Sequence, residues 1–211
     1  MRRGRYDWLD QPSVGGAPPQ RAAFADRVIE RHSRDVTGSG VAAFYKGWQL
    51  GNEELIRVIE PLSPAQLQLP VGSPTWPIWA SVSHLAGTRV YWLCHVFEEP
   101  GAETTPFTDP TGVGWEDDPD HPRRADELVG ALRSTWAIVE HTLGVWTPES
   151  LGREARRVLG DTVRMHTRQS VLMRMITHDA FHSGEISLAL GSNGLGAIDM
   201  WKGLSRVVTD R

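Results

Sequence analysis

The chain of 211 residues has one cysteine, Cys94. A single thiol excludes an internal disulfide and a Cys-cluster zinc site, and it suits a reducing compartment. Cys94 follows Val90, Trp92 and Leu93 in an apolar stretch, where a free thiol is expected to pack as a small hydrophobe, with a nucleophilic role as the alternative. An excess of basic charge is also missing: 22 Lys and Arg stand against 26 Asp and Glu, for a formal charge of -4. The basic residues are scattered, so nucleic acid is not an expected partner. No apolar run approaches the roughly 18 residues that would span a membrane. The basic start, Met1-Arg2-Arg3-Gly4-Arg5, is followed by no apolar segment of the kind a secretion signal needs, so the expected location is cytoplasmic.

What is present is the composition of a soluble globular protein, 40% hydrophobic and 23% charged, long enough for one well-cored domain. Residues 1–40 read as an N-terminal extension, with the Pro/Gly-rich stretch Gln11 to Pro19 and the breaker Thr37-Gly38-Ser39-Gly40. Phe44, Tyr45, Trp48, Leu55 and Ile59 recur at helical spacing before Pro61, predicting a first core helix. Ser63-Pro64 opens a capped turn. Ile78, Val82, Leu85, Trp92 and Val96 predict a second helix, capped by Thr75 and running to about Phe97.

Residues 98–123 hold five prolines and three glycines. They predict a long loop, of the kind that roofs a pocket. Leu128, Leu132, Trp136, Val139 and Leu143 mark a third helix from about Ala125 to Val145, and Thr147-Pro148 opens another capped turn. Residues 153–165 are Arg-rich and mixed in pattern, and read as partly extended. Thr167 then caps a fourth helix ending near Gly191. With no strand-length alternation of any strength, the expected fold is all-α: an antiparallel four-helix bundle over residues 41–190. The tail, 191–211, carries Ile198, Met200 and Trp201, which need burial against the bundle or a partner chain.

The fourth helix carries the chemistry. His178 and His182 stand four residues apart, in register with Val171, Met175 and Ala189, which the helix is expected to bury. Such a pair shares one helix face about 6 Å apart, so both imidazoles can reach one divalent ion at roughly 2.0–2.1 Å. In helical bundles further ligands come from facing helices. His84, inside helix two, is the best candidate, whereas His95, eleven residues on and about 16 Å farther along the axis, is too distant. His32, His121, His141 and His166 lie in the extension, the loop and helix margins, and read as solvated.

Three segments carry a resemblance: Trp79-Ala80-Ser81-Val82-Ser83-His84-Leu85-Ala86, the turn Leu62-Ser63-Pro64-Ala65-Gln66-Leu67, and Thr177-His178-Asp179-Ala180-Phe181-His182-Ser183-Gly184-Glu185-Ile186. Over about residues 41–190 the chain resembles the DinB-like superfamily of four-helix metalloproteins, which includes YfiT-type proteins and thiol-dependent transferases. The resemblance implies a divalent metal, often nickel or zinc, held by three His that map onto His84, His178 and His182, usually in a homodimer. The extension and the long loop depart from the compact family pattern.

Asp179 stands where His-Glu-x-x-His proteases carry their general base, but it is shorter and points about 100° away from His178, so it reads as a supporting or capping group. Glu185, three residues after His182, can accept an imidazole N–H, pair with an Arg, or move a proton, and orienting the ligand is the simplest of these uses. Arg89 and Arg174 are candidates to grip a substrate carboxylate. Trp76 and Trp79 can line a pocket mouth, with core or lid packing as the plainer role.

Three neutral imidazoles leave an ion's charge uncompensated and a position open. Together with the open position, the resemblance to the DinB-like superfamily implies the leading expectation, a metal-dependent transferase or isomerase in which a low-molecular-weight thiol attacks a small electrophilic substrate. Two alternatives stand beside it: a non-catalytic metal-binding bundle with a structural or stress-response role, and a metal-dependent hydrolase.

Overall fold

The computed structural model describes residues 40–72 and 76–205. The extension expected at 1–40 lies, apart from Gly40, outside the described residues, and so does the proposed cap Thr75. The described chain is mostly helical. A short 3-10 turn, Ala42–Tyr45, leads into α1, Lys46–Ile59, which buries Trp48, Leu55, Val58 and Ile59. The turn after it is α2, Pro64–Leu67, where the Ser63 hydroxyl accepts from the Gln66 amide and the Gln66 side chain accepts from the Ser63 amide. This reciprocal cap is the one that Ser63-Pro64 announced.

The central helix is α3, Ile78–Val90, with α4, Ala125–Val145, and α5, Arg168–Ser192, beside it. α3 packs against both α4 and α5, and α1 packs against α4. Because α3 is enclosed in this way, nearly all its side chains are buried, including the polar Ser81, Ser83, His84, Thr88 and Arg89. Beyond Val90 the helix widens into a π-turn, Tyr91–Val96. Leu85, Leu93, Leu128, Leu132, Val139, Val171, Met175 and Ile186 meet in the core with essentially no exposure. Each such side chain contributes about 1.5–3 kcal/mol of transfer free energy. The Thr167 hydroxyl accepts from the Ser170 amide and starts α5 as expected.

Two small antiparallel sheets correct the all-α expectation. β1, Pro70–Val71, pairs with β2, Trp76–Pro77, just before α3. β3, Glu154–Leu159, and β4, Thr162–Thr167, form a hairpin in which Arg157 faces Arg164 and Val158 faces Val163. Its two-residue turn places Gly160 at φ 54°, a conformation that glycine adopts without strain. The hairpin leads directly into α5.

The long connection is ordered by two 3-10 turns, Ala102–Thr104 and Trp115–Asp117. Phe107 is buried against Gly87 of α3, where a Cβ would stand 3.4 Å from its ring. In the C-terminal tail Ile198 is buried, a Cβ on Gly51 would stand 3.0 Å from Met200, and Lys202 reaches Glu54 at 3.0 Å, so described tail residues lie against α1. Trp201 remains exposed. No described helix is long and apolar enough to cross a membrane.

Candidate metal centre

α3 supplies His84, and two successive turns of α5 supply His178 and His182. One ligand nitrogen from each lies within 4.8 Å of the other two, and this is the one such group of three potential ligands among the described residues. Nε2 of His84 and Nε2 of His178 approach to 2.9 Å. Two nitrogens each about 2.05 Å from a common ion stand roughly 2.9–3.3 Å apart for bond angles between 90° and tetrahedral. The three rings pack edge to face, with centroids 4.6–5.3 Å apart. They are 4%, 7% and 1% exposed.

Burial decides the protonation of the two α5 rings. It holds the His178 imidazole well below its ordinary value, and the neighbouring charges of His84, His182, Arg89 and Arg174 push the same way. His182 is brought down to about 3, first by burial and then by His84. Both rings are therefore neutral at pH 7, which is the form that binds a metal.

Two carboxylates set the tautomers. Glu185, one turn beyond His182 on α5, stands 2.7 Å from His182 Nδ1. Glu116, from the 3-10 turn of the long connection, stands 2.9 Å from His84 Nδ1. A carboxylate only accepts, so each Nδ1 carries the proton and each Nε2 presents its lone pair toward the cluster, as in carboxylate–histidine–metal arrangements. Burial raises the Glu185 carboxyl above its usual range, against a smaller lowering by His84. Nδ1 of His178 is buried with no hydrogen-bond partner among the described residues.

The donor set suits a divalent metal ion: three imidazole nitrogens, two already oriented by carboxylates, and no competing thiolate. Burial pushes the Cys94 thiol up to about 11, which leaves it unreactive at neutral pH.

The other candidate residues fall elsewhere. Asp179 turns away from the cluster: its Oδ2 accepts from Trp48 Nε1 at 2.7 Å and from Arg89 at 2.8 Å. Arg89, read from sequence as a substrate grip, is 1% exposed and donates its other nitrogen to Asn52 at 2.8 Å. Its guanidinium is thus held by an internal carboxylate. Arg174 lies over the Trp92 ring at 5.1 Å. Trp79 is buried, whereas the Trp76 ring centre lies 5.1 Å from that of His84 and 6.5 Å from that of His182, so Trp76 is the indole beside the cluster. His95 is outside the group.

The sequence pattern of the DinB superfamily matches residues 48–186, a span that includes all three imidazoles. The chain belongs to the DinB superfamily. A crystal structure of a DinB-like protein from Bacillus cereus ATCC 10987 is similar to it with a TM-score of 0.55 at 16% identity, over 75% of this chain and 95% of that one. At that identity the likeness concerns the fold alone. None of the curated proteins compared matches this chain.

Proposed function

We propose that this DinB-superfamily chain is a metal-dependent transferase or isomerase. It holds zinc or nickel through His84, His178 and His182, on a four-helix bundle of α1, α3, α4 and α5, and uses a low-molecular-weight thiol against a small electrophilic substrate. One observation carries the reading: three buried imidazoles present nitrogens within 4.8 Å of one another. Neutral ligands leave an ion's charge undiminished and a position for an exogenous molecule. When bound, such an ion supplies a Lewis acid that lowers the pKa of a coordinated thiol or water toward neutrality.

The protein's own groups fit that task. Glu116 and Glu185 hold the Nδ1 protons of His84 and His182, which keeps both Nε2 lone pairs directed at the cluster. Trp76 supplies an apolar wall next to two of the rings. Because the Cys94 thiol is pushed up to about 11, the chain offers no competing thiolate of its own, which favours a thiol brought from outside. The proposal includes a homodimer, in which the exposed row Met173, Phe181 and Leu188 on α5 would be buried.

Metal binding without turnover is the second reading, and the near-complete burial of all three rings favours it. Elemental analysis and zinc titration of the purified chain test the common part: replacing His84, His178 or His182 singly by Ala is expected to weaken binding by well over tenfold. Stoichiometric metal in His84→Ala would remove that residue from the site. Incubating the loaded protein with small thiols and electrophiles, and separately with esters, divides transferase from hydrolase, and inertness in both leaves the second reading.

A further inference from the structure

Two carboxylates face the imidazole cluster, and they arrive by different routes. Glu185 belongs to α5, the helix that carries its partner His182, so regular helix geometry places it. Glu116 comes from irregular chain 32 residues beyond His84 and reaches that ring only because the long connection folds back over α3. It is 5% exposed, deeply buried for a loop glutamate. Its Oε1 meets His84 Nδ1, while its Oε2 is buried with no hydrogen-bond partner among the described residues. A buried carboxylate with one imidazole donor is poorly compensated. A cation on the far nitrogen of that same ring would supply the missing positive charge.

The connection is built to hold this glutamate in place. A Cβ on Gly114 would collide with the Glu116 carboxylate, so glycine leaves the space that the carboxylate fills. The Gly114 amide donates to Asp117 Oδ2 at 3.1 Å and closes the turn. Trp115 packs on Phe107 at 5.1 Å and under the Arg123 guanidinium at 4.4 Å. Phe107 in turn rests on Gly87, less than one helical turn from His84. Phe107 on Gly87 seats the connection on the helix that carries His84, and the other contacts hold the connection's own turn together.

We propose that Glu116 is a positioning residue for the metal centre and that residues 98–123 act as its latch: cation binding at His84 and ordering of the Trp115–Asp117 turn are thermodynamically coupled through the Glu116–His84 hydrogen bond. The proposal rests on the reading of the three imidazoles as a metal site. It adds that His84 differs from the two α5 ligands. Those two are pre-organised by one helix, whereas the orientation of His84 is set by a segment whose own order depends on the ion. Linkage makes the coupling reciprocal: what holds the turn raises affinity, and the ion protects the turn.

The test uses the full chain with zinc. Affinity is read by competition with a chromophoric chelator, and hydrogen exchange of residues 98–123 is compared with and without zinc. Cobalt-loaded protein gives a third readout, since its visible spectrum reports ligand geometry. Zinc is expected to slow exchange around Glu116 in the wild type. Glu116→Gln, which keeps the shape and removes the charge, is expected to weaken zinc binding by 10–100-fold, the usual effect of losing a carboxylate partner of a ligand histidine, and to abolish that protection. Gly114→Ala, which keeps the charge and displaces it, should act in the same direction and shift the cobalt spectrum. Asp120→Asn, exposed in the same connection, should change none of the three. Zinc affinity within twofold of wild type in Glu116→Gln, or identical exchange with and without zinc, overturns the latch while leaving the metal site standing. A wild-type chain that binds neither zinc, nickel nor cobalt overturns both.

Discussion

Acid should unfold the metal-free protein through its own metal ligands, and the size of the effect follows from burial. An unfolded histidine titrates near 6.5, whereas folded His182 is held at about 3. Between those values the unfolded chain binds the proton and the folded chain refuses it, so stability falls as pH drops through this window and is fully present only above about 6.5. At about 1.4 kcal/mol per pH unit, His182 alone removes roughly 2 kcal/mol between pH 7 and pH 5, and roughly 4 kcal/mol by pH 3. His178 is shifted in the same direction and adds to the loss. Glu185 opposes it, because a carboxyl raised by burial takes up its proton more readily in the folded state and gains stability as pH falls. Against a typical total of about 5–15 kcal/mol, the imidazole contribution is large. Urea denaturation of chelator-treated protein at pH 7, 6 and 5 measures it. His182→Asn, whose amide can still donate to Glu185, provides the reference that does not titrate. The wild type is expected to lose about 2 kcal/mol more than the variant between pH 7 and pH 5. Parallel losses in the two proteins would mean that the folded His182 titrates normally, and the account of the site as a cluster of desolvated neutral rings would fail.

Two further perturbations separate the core from the centre. Asp179→Ala removes the anion facing Arg89, a guanidinium 1% exposed, and is expected to cost about 3–5 kcal/mol in urea denaturation because a buried charge loses its counter-ion; a loss under about 1 kcal/mol would contradict this. Gly72→Ala strains a backbone at φ 62° and drives a methyl into the Glu185 carboxylate, so it should cost about 1–3 kcal/mol and weaken zinc binding by about tenfold. Unchanged affinity in a folded Gly72→Ala protein would show that Glu185 does not orient His182.

What the sequence made legible is what periodicity encodes. The pair at 178 and 182 shows as a helix spacing, and the third and fourth helices show their bounds through apolar stripes and the caps at Thr147 and Thr167. The hairpin over 154–167 shows in the sequence only as a partly extended stretch, because its polarity is inverted. Its outward row carries Val158, Val163 and Met165, all about half exposed, while Arg157 is buried with its Nε donating to the Tyr91 hydroxyl and its guanidinium near the Trp92 ring. A rule that places apolar residues inside finds no strand there. Arg89 misled for a related reason: a helix enclosed on nearly all sides has no polar face, so an arginine on it is buried whatever its position. Glu116 had no periodic signal, being an acid in an irregular segment. The only hint was a long connection with glycines at 112 and 114 just before a tryptophan.

The division of labour between adjacent residues of α5 explains why the site and the core can be perturbed separately. His178 and Asp179 are consecutive and so point about 100° apart. One faces His84 of α3 and the other faces Arg89 of the same helix, so α3 and α5 are tied at two places. The second tie extends to α1 through Trp48 and Asn52, and it contains no metal ligand. Around it, Leu85, Val171, Met175 and Ile186 are excluded from water without any contribution from the imidazoles. Removing an ion from the cluster would therefore leave the charged tie and the apolar core intact. What it would expose is the cost of the desolvated His178 and His182 rings held side by side, which proton uptake by the unfolded chain below pH 6.5 then reveals.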